Sequence, residues 1–261
     1  MADKDSALRA VDFVEDLILP LAPDGRRGAG PGASSPTAQI AFDSVDPQTL
    51  VAGSGVISFV KGVTSERRQD IVNSSLLAQL AANKRVPDRS DLRAWYDVYF
   101  EVLTNVGWVL QERSFQQYRE RGDDFEAEQA ILGIAAAAFG GAASAVGIVK
   151  STLDALKAAA HGKWITLFNR ESQTAHAAKF QVTLVDRDTD GDLKVYLMAF
   201  TLNAKASLTQ VLFFKFRTND IVFDHSAGVV TIDPEVLAAV RDPVSQKIRA
   251  HVSSYVSAVE I

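Results

Sequence analysis

Two periods run through this chain. Up to about residue 162 apolar side chains recur at steps of three and four, the spacing that gathers them on one helix face; beyond it they alternate with polar ones, as on a half-buried strand. Leu8, Val11, Val14 and Ile18 follow an Asp/Ser-rich start and predict a helix over 6–19, stopped by Pro20 and Pro23. The Gly, Pro and Ser content of 23–36 cannot sustain a core face, so 23–45 reads as a flexible connection. Asp46-Pro47 has the form of an N-cap followed by an N1 proline and predicts a short or irregular helix, weakened by Gly53 and Gly55. The stripe Ile71, Val72, Leu76, Leu77, Leu80 predicts an amphipathic helix over 65–84. Over 91–112 the residues Trp95, Tyr99, Val102, Leu103, Val106 and Leu110 share one broad face. Tyr96, Phe100 and Trp108 widen it almost to the full circumference, so this helix is expected to be central.

After Gly162 the pattern predicts strands over 163–169, 179–185, 193–202, 209–218 and 229–232, with 221–223 a candidate sixth. Phe180, Val182 and Leu184 alternate with Lys179, Gln181 and Thr183, which implies one wet face. Val211, Leu212, Phe213 and Phe214 are apolar in succession and predict a central strand. Thr189-Asp190-Gly191 and His225-Ser226-Ala227-Gly228 fit tight antiparallel turns, so a meander is expected. Asp233-Pro234 and Asp242-Pro243 repeat the cap-and-proline signature, predicting a short C-terminal helix that restarts after Asp242. The expectation is an α+β fold: a helical N-terminal half packed with a mainly antiparallel sheet and closed by a C-terminal helix over one sheet face. Its regions are an N-terminal helix in 1–22, the connection, a helical region 46–162, the sheet 163–232 and the closing helix 233–261, in one compact body.

Residues 130–149 stand apart because they carry no charge. They predict two Ala-rich helices hinged at Gly140-Gly141, or one helix weakened there. About 20 apolar residues suffice to cross a bilayer core, but here Ile131, Leu132, Ile134, Phe139, Val146 and Ile148 are diluted by Ala and Gly. Three readings stay open: a buried helix pair in the core, a segment that becomes exposed and enters a membrane, and a permanent subunit interface favoured by close-packing small residues. The second is similar in architecture, without any family match, to the apolar Ala/Gly-rich hairpin that α-helical pore-forming toxins carry within a soluble helical body.

Composition removes most chemistry. With 261 residues, 47% of them apolar, the chain has ample material for a core. It has no Cys, which excludes thiolate catalysis, Cys-ligated metals and disulfides. A net charge of −5 without a long basic run argues against nucleic acid. The N-terminus lacks a signal-peptide pattern, so the protein is expected to be cytoplasmic at synthesis, with signal-independent export open.

Asp186, Asp188, Asp190 and Asp192 alternate around Gly191 like the opening of a calcium loop. Leu197 stands where the bidentate Glu of an EF-hand would be, so only weak calcium binding is expected, and no other cofactor. The alternative is a solvated Asp-rich turn. His161, His176, His225 and His251 are too widely spaced for an HxxxH or HExxH zinc pair, and no GxSxG elbow is present. Gly53-Ser54-Gly55 and 26–32 lack the strand and helix context of a phosphate loop. Arg113, Arg119 and Arg121 near Phe115 and Tyr118 are offset by neighbouring acids.

No catalytic residue stands out. The leading expectation is a non-enzymatic protein acting by binding, with 130–149 engaging membrane lipid or a protein partner in the manner of a toxin or virulence-type effector, and homo-oligomerisation open. An assembly module without a membrane role is the alternative. A hydrolase using carboxylates such as Asp97, Glu101, Asp186 and Asp188 is the second.

Overall fold

The computed structural model describes residues 2–23, 42, 46–111, 113–119, 123–139, 143–187, 193–213 and 215–259. Its helices are α1 (Ala2–Asp16), α2 (Ser65–Arg85), α3 (Leu92–Asn105), α4 (Ala127–Phe139), α5 (Ala143–Ala158), α6 (Lys163–Ser172) and α7 (Pro234–Tyr255). The strands are β1 (Gln48–Ala52), β2 (Gly55–Phe59), β3 (Trp108–Leu110), β4 (Gln116–Gln117), β5 (Asp124–Glu126), β6 (Ala177–Arg187), β7 (Leu193–Ala204), β8 (Lys215–Arg217), β9 (Ile221–Ile232) and β10 (Val256–Ala258). The fold is α+β, and α7 closes one face of the sheet as expected.

The main sheet runs in the order β10, β1, β2, β6, β7, β9, β3, with β4 also on β9; β5 and β8 form a separate ribbon. Every pairing is antiparallel except β2 with β6. The sheet is therefore mixed, and its middle joins a hairpin from early in the chain to the long β6–β7 pair. Helices cover both faces. One core lies under α1, α2, α3 and α7, and includes Leu50, Phe59, Leu76, Tyr99, Leu103, Trp108, Val195 and Ile248. The other lies under α4, α5 and α6, and includes Phe125, Ile131, Leu153, Trp164, Phe180, Met198, Phe200 and Phe223.

Local signals explain the helix ends. Thr64 accepts from Arg67 N, Asp91 from Ala94 N, and Asp233 from Glu235 N and Val236 N, each satisfying donors that the first helical turn leaves free. The long helix expected over 91–112 ends at Asn105, because Gly107 at φ +95° turns the chain into β3. A side chain at Gly107 would crowd the Asp233 carbonyl at 3.2 Å.

Several expectations are corrected. Asp46-Pro47 opens no helix; it precedes the β1–β2 hairpin, with Gly53 at φ +56° in the turn. Residues 163–169 belong to α6, because Trp164 and Phe168 are buried four residues apart, a helical spacing. His225 to Gly228 make no turn but continue β9, whose ladder with β7 runs from Ile221 to Val230. Among the described residues of 209–218 only Lys215–Arg217 is a strand, on β5, and Phe214 lies outside them; Val211 and Leu212 are apolar because they plug the second core from an irregular segment. Lys179, Gln181 and Thr183 are at most 3% exposed, so the face read as wet is covered by helices. Helix α7 runs through Pro243 without restarting.

Candidate functional site

The uncharged stretch becomes two helices, α4 and α5, packed on one another over the second core. The hinge expected at Gly140 and Gly141 lies outside the described residues. Ile131, Ile134 and Phe139 are buried, together with Val149, Leu153 and Leu156 of α5. Phe139 meets Tyr196 of β7 edge-on, 4.8 Å between ring centres. Leu132, Val146 and Ile148 are half-buried, while Gln129, Gly133, Ala136, Ala137, Ala138 and Gly147 face outward. Within 130–149 the described residues thus have a large-side-chain inner face and a small, uncharged outer one, while the rest of α5 exposes Lys150, Asp154 and Lys157.

Beneath it the sheet offers a stacked aromatic row. Phe180, Phe200 and Phe223, on three adjacent strands, lie with ring centres 4.7 Å and 5.4 Å apart. Polar ties hold the helices down. Thr152 of α5 shares a 2.8 Å hydrogen bond with Ser58 of β2, which shares another of 3.0 Å with Thr49 of β1, and all three hydroxyls are buried. Lys157 of α5 pairs with Glu128 of α4 at 2.9 Å. His225 lies on this same sheet face beside Tyr118, with ring centres 6.5 Å apart. Its Nδ1 finds no hydrogen-bond partner among the described residues, and burial lowers its pKa, with Asp224 opposing the shift.

The opposite face holds a buried polar network. Ser54 N and Oγ donate to Gln79 Oε1 at 2.9 and 3.1 Å, Ser54 Oγ lies 3.2 Å from Gln181 Oε1, and Gln181 Nε2 donates to the Tyr96 hydroxyl at 2.9 Å. That hydroxyl donates toward the Phe180 and Phe200 carbonyls at 2.8 and 3.0 Å, and burial raises its pKa strongly. The Gly53-Ser54-Gly55 turn is therefore a structural tie to α2 and holds no phosphate-loop geometry.

The remaining candidates are dispersed. Asp186 is the penultimate residue of β6, its carboxylate accepting from Arg187 N at 2.7 Å, while Asp188, Asp190 and Asp192 lie outside the described residues. Asp97 is exposed on α3, and Glu101 is engaged by Arg85 at 2.9 Å. Among the described residues no group of three or more His, Asp or Glu could hold a metal ion. His161 and His176 are exposed; His251 is buried in α7. Arg113 donates to the Thr104 hydroxyl, and Arg121 lies outside the described residues. Sequence reading missed the Thr49–Ser58–Thr152 tie and the Ser54–Tyr96 network, whose members are scattered along the chain; the only local hint was polar residues inside apolar runs.

No protein-family model matches the chain, and no curated protein sequence matches it. Among solved structures the chain is similar to one described as the Evf virulence factor, at 15% identity and a TM-score of 0.37, covering 84% of this chain and 93% of that one. It is also similar to a delta-endotoxin, at 13% identity and a TM-score of 0.38, covering 78% and 91% respectively.

Proposed function

We propose that this chain is a non-enzymatic effector that acts by binding and conformational exposure, with α4 and α5 leaving the sheet to engage a membrane. One observation carries the reading: a helix pair whose stretch 130–149 carries no charge covers an aromatic sheet face and is tied to the sheet by the buried Thr152–Ser58 hydrogen bond. Over 130–149 the exposed positions among the described residues are Ala and Gly, so this part of the pair loses little by exchanging the sheet for lipid tails, while Lys150, Asp154 and Lys157 in the rest of α5 stay with water and headgroups. At about 1.5 Å per residue the helices are roughly 20 and 24 Å long, against a hydrocarbon core of about 30 Å. Among the described residues no helix is long and apolar enough to cross a membrane. Engagement therefore takes the form of a helix pair laid into the interface, its inner face turned toward acyl chains.

The absence of cysteine makes a clean test. The Ser58 and Thr152 side-chain oxygens are 2.8 Å apart, so Ser58→Cys with Thr152→Cys can form a disulfide that locks α5 to β2. Vesicle flotation and dye release are measured at pH 7 and pH 5, on neutral and anionic vesicles, with the bond closed and then reduced. The expected result is binding and leakage only after reduction. Equal leakage by the locked form, or no vesicle binding by the unmodified chain under any condition, rejects the reading and leaves α4 and α5 as core. Ala138 is exposed, so Ala138→Asp is expected to keep the fold and weaken vesicle binding about tenfold or more, since a charge in lipid costs about 2–3 kcal/mol.

A second reading, self-association through the outer face, is favoured by Gly147, where an added side chain would meet nothing within 4 Å. A stable oligomer in light scattering that Gly147→Glu dissolves selects it.

A further inference from the structure

Along β9 the residues Phe223, His225, Ala227 and Val229 alternate with Asp224, Ser226 and Gly228, so His225 shares the sheet face of the second core. In the ladder it stands opposite Phe200 of β7 on one side and Gln116 of β4 on the other, and Phe200 belongs to the stacked aromatic row. Helix α4 packs across this strand. Its backbone comes close to the ring beside His225, since a Cβ at Gly133 would lie 3.5 Å from the Tyr118 hydroxyl. A titratable ring is thus set among Phe, Tyr, Ala and Val, beneath a helix whose buried residues are Ala127, Ala130, Ile131, Ile134, Ala135 and Phe139.

A neutral imidazole can keep its proton on Nε2 and leave Nδ1 a bare lone pair, whereas the imidazolium needs an acceptor at both nitrogens. The Nδ1 of His225 is buried and has no hydrogen-bond partner among the described residues. A proton added there is a buried donor without an acceptor and a charge under an apolar helix; both costs vanish once α4 lifts and water reaches the ring. The neighbouring charges do not offset them. Asp224 points to the other sheet face, where Arg93 of α3 holds it at 3.1 Å, and it opposes the effect of burial without cancelling it. Glu128 of α4 is taken by Lys157 at 2.9 Å and Glu126 of β5 by Lys215 at 2.5 Å, while Asp124 stands opposite Arg217 across the β5–β8 ribbon. From β7 the residues on this face are Met198, Phe200 and Leu202, and Arg119, next to Tyr118 in the chain, has the same sign as a protonated ring.

We infer that His225 is an acid trigger for the helix pair: protonation of its ring destabilises the packing of α4 on β9 and shifts the chain toward a form in which α4 and α5 are lifted from the sheet. This rests on the reading that α4 and α5 are the segment that leaves the sheet. Above the ordinary histidine range the closed form keeps its full stability. As pH falls through 6.5 the open form takes up a proton that the closed form resists, and opening increases until the closed form is protonated as well. One such group raises the open fraction by at most about 25-fold between pH 7 and pH 5. His251 also has a buried Nδ1 without a partner among the described residues, but it lies in α7, whose buried residues join the other core, and so serves as the control.

The test is hydrogen exchange of the full chain at pH 7 and pH 5 without lipid, corrected for the intrinsic exchange rate at each pH, alongside flotation on phosphatidylcholine–phosphatidylglycerol vesicles at the same two values. From pH 7 to pH 5 the amides of α4 and α5 are expected to lose between about threefold and 25-fold in protection, and those of α2, in the other core, less than about twofold. His225→Phe fills the place with a ring that takes no proton, and His225→Gln keeps a polar end without a charge. Either is expected to reduce the change in α4 and α5 to under about twofold, while His251→Phe leaves it in place. The inference is overturned if α4 and α5 lose less than about threefold, if α2 loses as much as they do, if the acid response survives in a folded His225 variant, or if His251→Phe abolishes it. Acid opening that depends on His225 without vesicle binding upholds the trigger and rejects the membrane reading. Vesicle binding at pH 5 with no opening that depends on His225 rejects the trigger and leaves the membrane reading standing.

Discussion

Lys179 shows what burial does to a single side chain. It is 3% exposed on β6, with its ammonium 4.7 Å from the Trp95 ring centre. Burial, helped by Arg89 and opposed by Glu171, pulls its pKa down to about 8 from an ordinary 10.5. Between those values the unfolded chain binds more protons than the folded one. Stability therefore rises with pH from about 8 to about 10.5, and below that window the group costs the fold about 3 kcal/mol. Losing the contact with Trp95 gives back about 0.5–2 kcal/mol. Lys179→Met is thus expected to raise stability at pH 7 by about 1–2 kcal/mol and to flatten the alkaline rise, read from urea unfolding at pH 7 and pH 10. No gain at pH 7 would mean that the cation–aromatic contact outweighs desolvation. Alternation alone marked Lys179 as solvent-facing, because the chain around β6 contains nothing of α3 above it.

Between elements, the docking of α7 on α2 rests on a two-pronged ion pair. Arg241 Nε and Nη2 donate to the two Asp70 oxygens at 2.8 and 2.7 Å, and Asp70 is 4% exposed. The hydrogen bond to Asp70 also raises the Arg241 pKa, against some desolvation. Removing one partner strands the other's charge. Arg241→Ala is expected to cost about 3 kcal/mol in a thermal or denaturant melt, and adding Asp70→Ala should recover part of it, since no buried charge is then left. A single-variant loss under about 1 kcal/mol would show that water satisfies the Asp70 carboxylate in place of the guanidinium. Both helices are legible as stripes, and the Asp233 cap is read correctly from Asp-Pro. The pair itself is not legible, because nothing local links positions 70 and 241.

The molecule as a whole is assembled by distant strands. The sheet closes on one side with β10 against β1, register Leu50 with Ala258, and the Tyr255 carbonyl accepts from Gly53 N at 2.7 Å. Without this strand β1 would present an open edge of unpaired backbone groups, a template for pairing with another chain. Deleting 256–261 is expected to lower the melting temperature and to produce self-association in light scattering; a monomeric variant of unchanged stability would show that β10 adds nothing to the sheet.

Local pattern was enough to establish the α+β class, the helix expected over 65–84, the start of the helix after Asp91 though not its end at Asn105, the β6–β7 pair, the C-terminal closing helix and the uncharged character of 130–149. Those features depend on residues within a few turns of one another. Which strands pair and which faces stay dry depend on contacts between remote segments. Lys179 is dry because α3 covers it, and β9 absorbs a turn-like sequence because β7 supplies its hydrogen bonds. A one-dimensional period records one face at a time, whereas burial and charge clustering are set by everything that packs on the other.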